Sequence, residues 1–397
     1  MAEFSQGRMQ MVDSQFVADK PEDVGVDPAK LELLFERVQQ EIDEGLLPAC
    51  QVAIGRHGKL AALKSFGDAT NDDLFSIFSA TKAMTSAAGW LLIQEGKLSI
   101  DERVADIIPE FESNGKENIT VEMLFTHTAG LPYAPFRPTD WNDAKLRSER
   151  YSKWTLNWEP GSRFEYHPTS SMWVIAELIE RKSNRGFQEF VRERIAEPLG
   201  LDDMHIGAPE AVHKRIKNVV HVGEAMTADD FKALGMPVPP ETEVTPEALL
   251  AFNTSEIRKV PVPGGGGHMG AGEIALFYQA LLNGGQSLDG EQIWTQDTLD
   301  YAFEVRNHFP DMLGIPANRA LGVVVSGDKQ RNGRGFGHTN SERAVGHSGA
   351  GGQLAWGDQE TGLSLGYVTN GHDAHIVRQA RRGISISNKA AVCALAT

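Results

Sequence analysis

The sequence predicts a mixed α/β (α+β) fold, an antiparallel sheet flanked by helices with a mostly helical domain inserted into it. Three observations predict this. Strand-like runs gather near the two ends of the chain, around residues 49–66 and 321–368. The stretch from Glu102 to about Leu199 carries apolar residues at helical spacing with short interruptions. Helical segments with recognisable start and stop signals lie near both termini.

Taken in order, Asp27 followed by Pro28 is an N-cap with proline at the first helical position, opening a helix that runs through Glu44. Ala49–Gly55 and Leu60–Phe66 are β-prone and separated by Arg56-His57-Gly58-Lys59, the pattern of a hairpin. Ser79 opens a helix that runs through Gln94 and ends at Gly96. Residues 201–263 are rich in Pro, Asp, Glu and His and read as loops that shape a substrate site. A glycine run, Gly264 to Gly267, precedes a helix from Glu273 to Leu282 that stops at Gly284-Gly285. β-prone runs follow near Leu321–Val325, Gln353–Trp356 and Leu363–Val368, and a basic helical segment from Ile376 to about Lys389 closes the pattern. The expected division is a discontinuous α/β domain, residues 1–78 with 264–397, and a mostly helical domain, residues 79–263, that carries the substrate-site loops.

Composition narrows the function. The chain has 397 residues, 41% hydrophobic and 23% charged, as an ordinary globular protein does. Its 38 basic and 54 acidic residues give a net charge of -16, which argues against a nucleic-acid partner, since phosphate binding needs a basic face. An acidic surface likewise repels anionic membranes. The two cysteines, Cys50 and Cys393, form no CxxC pair, and neither they nor the twelve histidines fall at metal-binding spacing, so no metal or cofactor is expected. The opening residues MAEFSQGRMQMVDSQF lack an apolar core, and the longest nearly apolar stretch, Ala87 to Ile93, is too short to span a bilayer. A cytoplasmic protein without a membrane partner is the expectation.

Ser-x-x-Lys occurs three times, at Ser79–Lys82, Ser113–Lys116 and Ser326–Lys329. The last two are turn sequences; Ser79-Ala80-Thr81-Lys82 alone opens a helix, where residues three apart share a face. A serine hydroxyl needs a base to take its proton, and a lysine serves when burial or a nearby cation lowers its proton affinity. The bland alternative is that Ser79 caps the helix and Lys82 is solvated. Gly346-His347-Ser348-Gly349-Ala350 approaches the Gly-x-Ser-x-Gly elbow, which with Asp358 and His372 would make an α/β-hydrolase triad, but a glycine-rich and then β-prone stretch follows instead of a helix. Gly265–Gly270 fits G-x-G-x-x-G without the preceding strand that a dinucleotide site requires.

Three further segments, Leu124–Pro132 (LFTHTAGLP), Glu159–Tyr166 (EPGSRFEY) and Gly346–Gly352 (GHSGAGG), together with Ser79–Lys82, keep a recognisable order over roughly residues 21–385. In these the chain resembles the serine β-lactamase and penicillin-binding protein superfamily, and within it the class C β-lactamase-like family VIII carboxylesterases. The resemblance implies a β-lactamase-like fold with Ser79 as acyl acceptor, Lys82 as its partner base and Tyr166 as the tyrosine that shuttles the proton and activates water. It places His347, Ser348 and Gly349 on the substrate-lining strand and the N–H groups of Ser79 and Ala350 in the oxyanion hole. Two departures stand out: Pro168 replaces the asparagine two residues after the tyrosine, and His347 replaces a lysine that attracts the lactam carboxylate. Both weaken the case for a β-lactamase or a D-alanyl peptidase and are compatible with an esterase, so the expected function is a serine carboxylesterase acting on short-chain or small carboxylic esters. A β-lactamase, a D-amino-acid amidase or peptidase, and a penicillin-binding module without turnover are the alternatives. Trp154, Trp158, Tyr133 and Phe136 are candidates for an apolar pocket wall, and His347 for a group that titrates near neutral pH beside Tyr166 or Lys82.

Overall fold

The computed structural model describes residues 14–238 and 244–395. Asp27 caps helix α1 (Pro28–Asp43), its carboxylate accepting from the N–H groups of Ala29 and Lys30. Strands β1 (Ala49–Arg56) and β2 (Lys59–Gly67) form the expected hairpin. His57 and Gly58 both have positive φ, 54° and 81°, as a two-residue turn matched to strand twist requires. Then come β3 (Phe75–Ser76), α2 (Thr81–Gln94), α3 (Val121–Phe125), α4 (Ala144–Lys153) and α5 (Ser170–Ser183). They are followed by β4 (His205–Ile206), β5 (Val220–Val222), β6 (Gly267–Met269), α6 (Ala271–Leu282) and α7 (Gln296–Phe303). The chain continues through β7 (Val324–Val325), β8 (Ala344–Gly346), β9 (Leu354–Asp358), β10 (Ser364–Thr369), β11 (Gly371–Asp373) and α8 (Ile376–Ala391).

The main sheet is antiparallel throughout, in the order β2-β1-β10-β9-β8-β7, so strands from the two ends of the sequence meet where β1 pairs with β10. All eight residues of β1 are buried, because both faces of the sheet are covered. Strand alternation sorts them. Cys50, Val52 and Ile54 join a core with Leu34 and Val38 of α1 and Ile386 and Ala390 of α8. Ala49 and Ala53 face the larger core built from α2, α5 and α6. Cys50 and Cys393 are buried free thiols, each pushed up to about 12, chiefly by burial.

A small second sheet, β3-β6-β4, matters more for function. Phe75 pairs with Met269 and Ser76 with His268, and the ladder continues as the Ile77 N–H donates to the Gly267 carbonyl at 2.9 Å. This holds the chain leading to Ser79 against the end of the glycine run. No helix among the described residues is long and apolar enough to cross a membrane.

Candidate active site

Ser79 sits in a 3-10 turn, Phe78–Ala80, that runs into α2. Phe78, just before it, has φ 45°, a left-handed conformation that costs a non-glycine residue about 1–3 kcal/mol. The turn is held on several sides. Thr81 Oγ1 accepts from the Gly267 N–H at 2.9 Å, and Phe252 packs edge-on against Phe78 at 5.5 Å. Val219 and Leu249 complete the apolar packing around Phe78, with Val244 and Ala350 against it. The segment 201–263, expected to shape the site, thus supports the turn that presents the serine; its residues 239–243 lie outside the described residues. Gly349 passes so close that a Cβ there would lie 2.1 Å from the Ile77 carbonyl oxygen, so any side chain would push the strand after β8 off the nucleophile turn.

The Ser79 side chain does not cap α2. Ala80 is the N-cap and no side chain bonds there. Instead Ser79 Oγ lies 3.2 Å from Lys82 Nζ. Lys82 is fully buried, and its ammonium group donates to two backbone carbonyls, Pro168 at 2.7 Å and Gly264 at 2.8 Å. A lysine nitrogen has three positions for protons. Two are taken by the carbonyls, so the third, whether N–H or lone pair, is directed to Ser79. Burial lowers the proton affinity of Lys82, opposed by Tyr166 and assisted by the charge of Arg319.

Tyr166 closes the group. Its hydroxyl is buried and makes no hydrogen bond of good geometry. Burial alone would raise the phenol, but the charges of Lys82 and Arg319 and the nearness of Lys82 and Ser79 outweigh it, and the net direction is down. Lys82 Nζ lies 5.1 Å and the Arg319 guanidinium 5.3 Å from the centre of the tyrosine ring. Each group thus shifts the proton affinity of the other: the Lys82 charge lowers Tyr166, and Tyr166 opposes the lowering of Lys82.

His347 is buried beside this pair, its ring centre 6.0 Å from that of Tyr166. Its Nε2 is 3.0 Å from Arg319 Nη1 and its Nδ1 2.8 Å from the Ser348 carbonyl. A guanidinium only donates, so Nε2 accepts and Nδ1 carries the proton. Burial, Arg319 and Lys82 hold the imidazole well below its usual range. The expectation that His347 titrates near neutral pH is corrected: with both ring nitrogens engaged beside a cation, it is a neutral fixture. Ser348 is exposed, and Ala350 starts a turn closed where Gly349 N–H donates to the Gln353 carbonyl at 3.0 Å.

Other expectations resolve differently. Lys116 of the second Ser-x-x-Lys is buried on the Ser113 and Trp154 carbonyls, 2.7 and 2.9 Å away, so it bonds the main chain of Ser113 instead of its hydroxyl. Asp358 accepts from Ser341, before β8, and from Glu360 and Thr361 in its own turn instead of from His372, so the Ser348–Asp358–His372 arrangement is not assembled. Trp154 and Phe136 are core, not pocket wall: Phe136 stacks on Trp173 at 4.5 Å and Trp154 meets Tyr151 edge-on at 5.0 Å. Tyr133 and Trp158 instead turn their polar ends to Glu165.

Three side chains and a backbone position escaped the sequence reading. Arg319 lies in an irregular stretch without periodicity. His127, inside the LFTHTAGLP segment, has φ 58° and packs its ring 4.8 Å from Tyr166. Its Nδ1 accepts from the His167 N–H at 3.2 Å, and His167 Nε2 accepts from the Leu131 N–H at 2.9 Å, so both rings are neutral props of the tyrosine loop. The positive φ before Thr128-Ala129-Gly130 has no signature in residue type. Gly264 reads in the sequence only as the start of a glycine run; a Cβ there would sit 3.2 Å from both Lys82 Nζ and the Pro168 carbonyl.

A hydroxyl aimed at a buried lysine, a depressed tyrosine beside both, and an all-antiparallel sheet with helices on each face define a serine hydrolase. The chain belongs to the β-lactamase family, whose model matches residues 34–386. Among curated relatives it is 27% identical over 313 residues to the esterase/beta-lactamase LipL of Mycobacterium tuberculosis, covering 74% of this chain and 68% of the relative. Among solved structures it is similar to a penicillin-binding protein homologue from Caulobacter crescentus, with TM-score 0.75, 26% identity, and 92% and 99% of the two chains covered. It shares its fold with a family VIII carboxylesterase at TM-score 0.75 and 23% identity, over 92% and 99% of the two chains.

Proposed function

We propose that this chain is a serine carboxylesterase that hydrolyses short-chain or small carboxylic esters through an acyl-enzyme on Ser79. The observation that carries the reading is the lysine whose two backbone anchors leave its third valence on Ser79 Oγ at 3.2 Å, with the Tyr166 hydroxyl buried alongside. Ser79 Oγ attacks the ester carbonyl carbon while its proton passes to the Lys82–Tyr166 pair. The C–O bond to the alcohol breaks, and the alcohol leaves with that proton. Water then adds to the acyl carbon, giving its proton to Tyr166, and the acid departs as the proton returns to Ser79. The N–H groups of Ser79 and Ala350 hold the oxyanion.

Two features favour an ester over a lactam or a D-alanyl peptide. Position 168 is proline, so no side-chain amide stands there for an acylamido group. His347 is neutral and turned to Arg319 instead of presenting a charge to a lactam carboxylate. The LipL relative, named for both activities, supports either ester or lactam chemistry.

The test is steady-state turnover of a short-chain nitrophenyl ester and a chromogenic cephalosporin, for wild type and Ser79→Ala. Rapid ester cleavage, slow lactam cleavage, and loss of both in the variant by about three orders of magnitude or more are expected. Faster lactam than ester turnover assigns a β-lactamase instead; a burst without turnover on both substrates assigns a penicillin-binding module.

A further inference from the structure

Arg319 is an oddity in a protein with a net charge of -16. Among the described residues it forms no ion pair with a carboxylate, its guanidinium bonding His347 instead, and its Nε is buried without a hydrogen-bond partner. Its place is nonetheless firmly set. Its N–H donates to the Asn307 carbonyl at 3.1 Å, and its own carbonyl accepts from Arg306 N–H at 2.8 Å. The guanidinium donates to His347 Nε2 at 3.0 Å and lies over the rings of Phe164 and Tyr166, 5.6 and 5.3 Å from their centres. Arg319 is half-buried, and a cation drawn out of water with no carboxylate partner is costly and persists where it does something for its neighbours.

We propose that Arg319 is a positioning residue for the acyl-transfer site: fixed by His347, it is the permanent positive charge that, alongside the proton-exchanging Lys82, keeps Tyr166 in its proton-accepting form. The proposal rests on the Ser79 reading above. The groups facing Tyr166 leave few other sources of charge. Lys82 comes from α2, and Ser79 from the turn before it. His127 comes from the loop after α3, with His167 packed behind it, and His347 from the end of β8. Burial keeps all three histidines neutral, aided at His127 and His347 by Arg319. Arg319 itself, lowered to about 10 by burial and steadied by Tyr166 and, more distantly, Asp311, remains charged at neutral pH. His347 is then the strut that holds the guanidinium, not a proton carrier.

The test is the pH dependence of kcat and kcat/KM on a neutral short-chain nitrophenyl ester for wild type, Arg319→Lys, Arg319→Gln and His347→Gln, with native near-ultraviolet circular dichroism as the check on folding. Losing a positive charge favours the protonated pair, so the acid limb of Arg319→Gln should move to higher pH. A cation at this distance is worth about one unit or more, so kcat near pH 7 should fall about tenfold and recover at high pH. KM for the neutral ester should change little, and Arg319→Lys should restore part of the wild-type limb. A profile with the wild-type limb, whether at full or uniformly reduced height, overturns the proposal. So does a rise in KM confined to an ester bearing a carboxylate, which would make Arg319 a substrate-anion contact. Mass spectrometry of wild type with a slow ester separates the two levels. Acyl label on Ser79 with an unmoved limb defeats only the role of Arg319, while label elsewhere defeats the function beneath it.

Discussion

Tyr166 has a buried hydroxyl with no well-formed hydrogen bond, so the hydroxyl stabilises the fold little, and in the proposed mechanism it carries a proton. Tyr166→Phe should therefore lower kcat by about 10²–10⁴, the range for a lost general acid–base. The same change removes an unsatisfied polar atom, which is nearly neutral or stabilising, so the melting temperature should equal or exceed that of wild type. Stopped assays and a thermal melt on one preparation check both, and a large drop in melting temperature would show a bond to the hydroxyl that holds the fold. The sequence made Ser79 and Lys82 legible because a three-residue spacing on a helix is a local property. Tyr166 and His347 were legible through resemblance. Arg319 was not, since what singles it out is a half-buried guanidinium without a carboxylate partner, set against Tyr166 and His347, and that arises only when distant parts of the chain are brought together.

At the scale of elements, α6 follows directly on β6 and the glycine run that holds Lys82. Glu273 at its third position accepts from the Gly270 N–H at 3.1 Å in a capping box, yet the carboxyl is buried and pushed up to about 7, chiefly by that burial. A carboxyl raised on folding stabilises fully below its unfolded value near 4.5, and the contribution is lost as pH rises through about 7. The expected loss is roughly 2–4 kcal/mol at 1.36 kcal/mol per unit. Glu273→Gln keeps a capping side chain but cannot ionise. Its denaturation midpoint should vary less between pH 4.5 and 7 than that of wild type; parallel curves would show that Glu273 ionises freely in the fold. Helices α1, α2, α6 and α8 and strands β1, β2, β9 and β10 were readable from period and punctuation. Strands β3 to β6 and β8 were not: they are two or three residues long, below the length at which alternation shows, and β6 is hidden inside a glycine run.

Across the whole molecule, the first and last helices are tied by charge. Arg382 of α8, 2% exposed, bonds Glu41 of α1 and Asp373 of β11. Arg378 holds Asp373 through two bonds of 2.8 and 2.7 Å, and Arg37 joins Glu41. Removing one partner of such a network leaves a buried charge unmatched, so Arg382→Met should destabilise by about 3–5 kcal/mol, read by chemical denaturation. Ester turnover of the folded fraction should persist, because none of these groups touches Ser79, Lys82 or Tyr166. A loss below about 1 kcal/mol would mean that the network is no stronger than a surface ion pair. The basic character of the last helix was visible in the sequence; its carboxylate partners, 341 and 9 residues away, were not. The pairing of β1 with β10 is equally non-local, and the mixed architecture was legible because strand-like runs cluster at both ends.

The grip on Lys82 carries a consequence for how this site can vary. Both carbonyls that hold it belong to the main chain, and every amino acid supplies one. Proline at 168 therefore offers no side-chain amide yet leaves the lysine's anchor untouched, so the side chain at that position can change while Lys82 stays directed at Ser79. What cannot drift is the path of the chain: one residue inserted beside 168 or 264 would withdraw an acceptor that no replacement side chain restores.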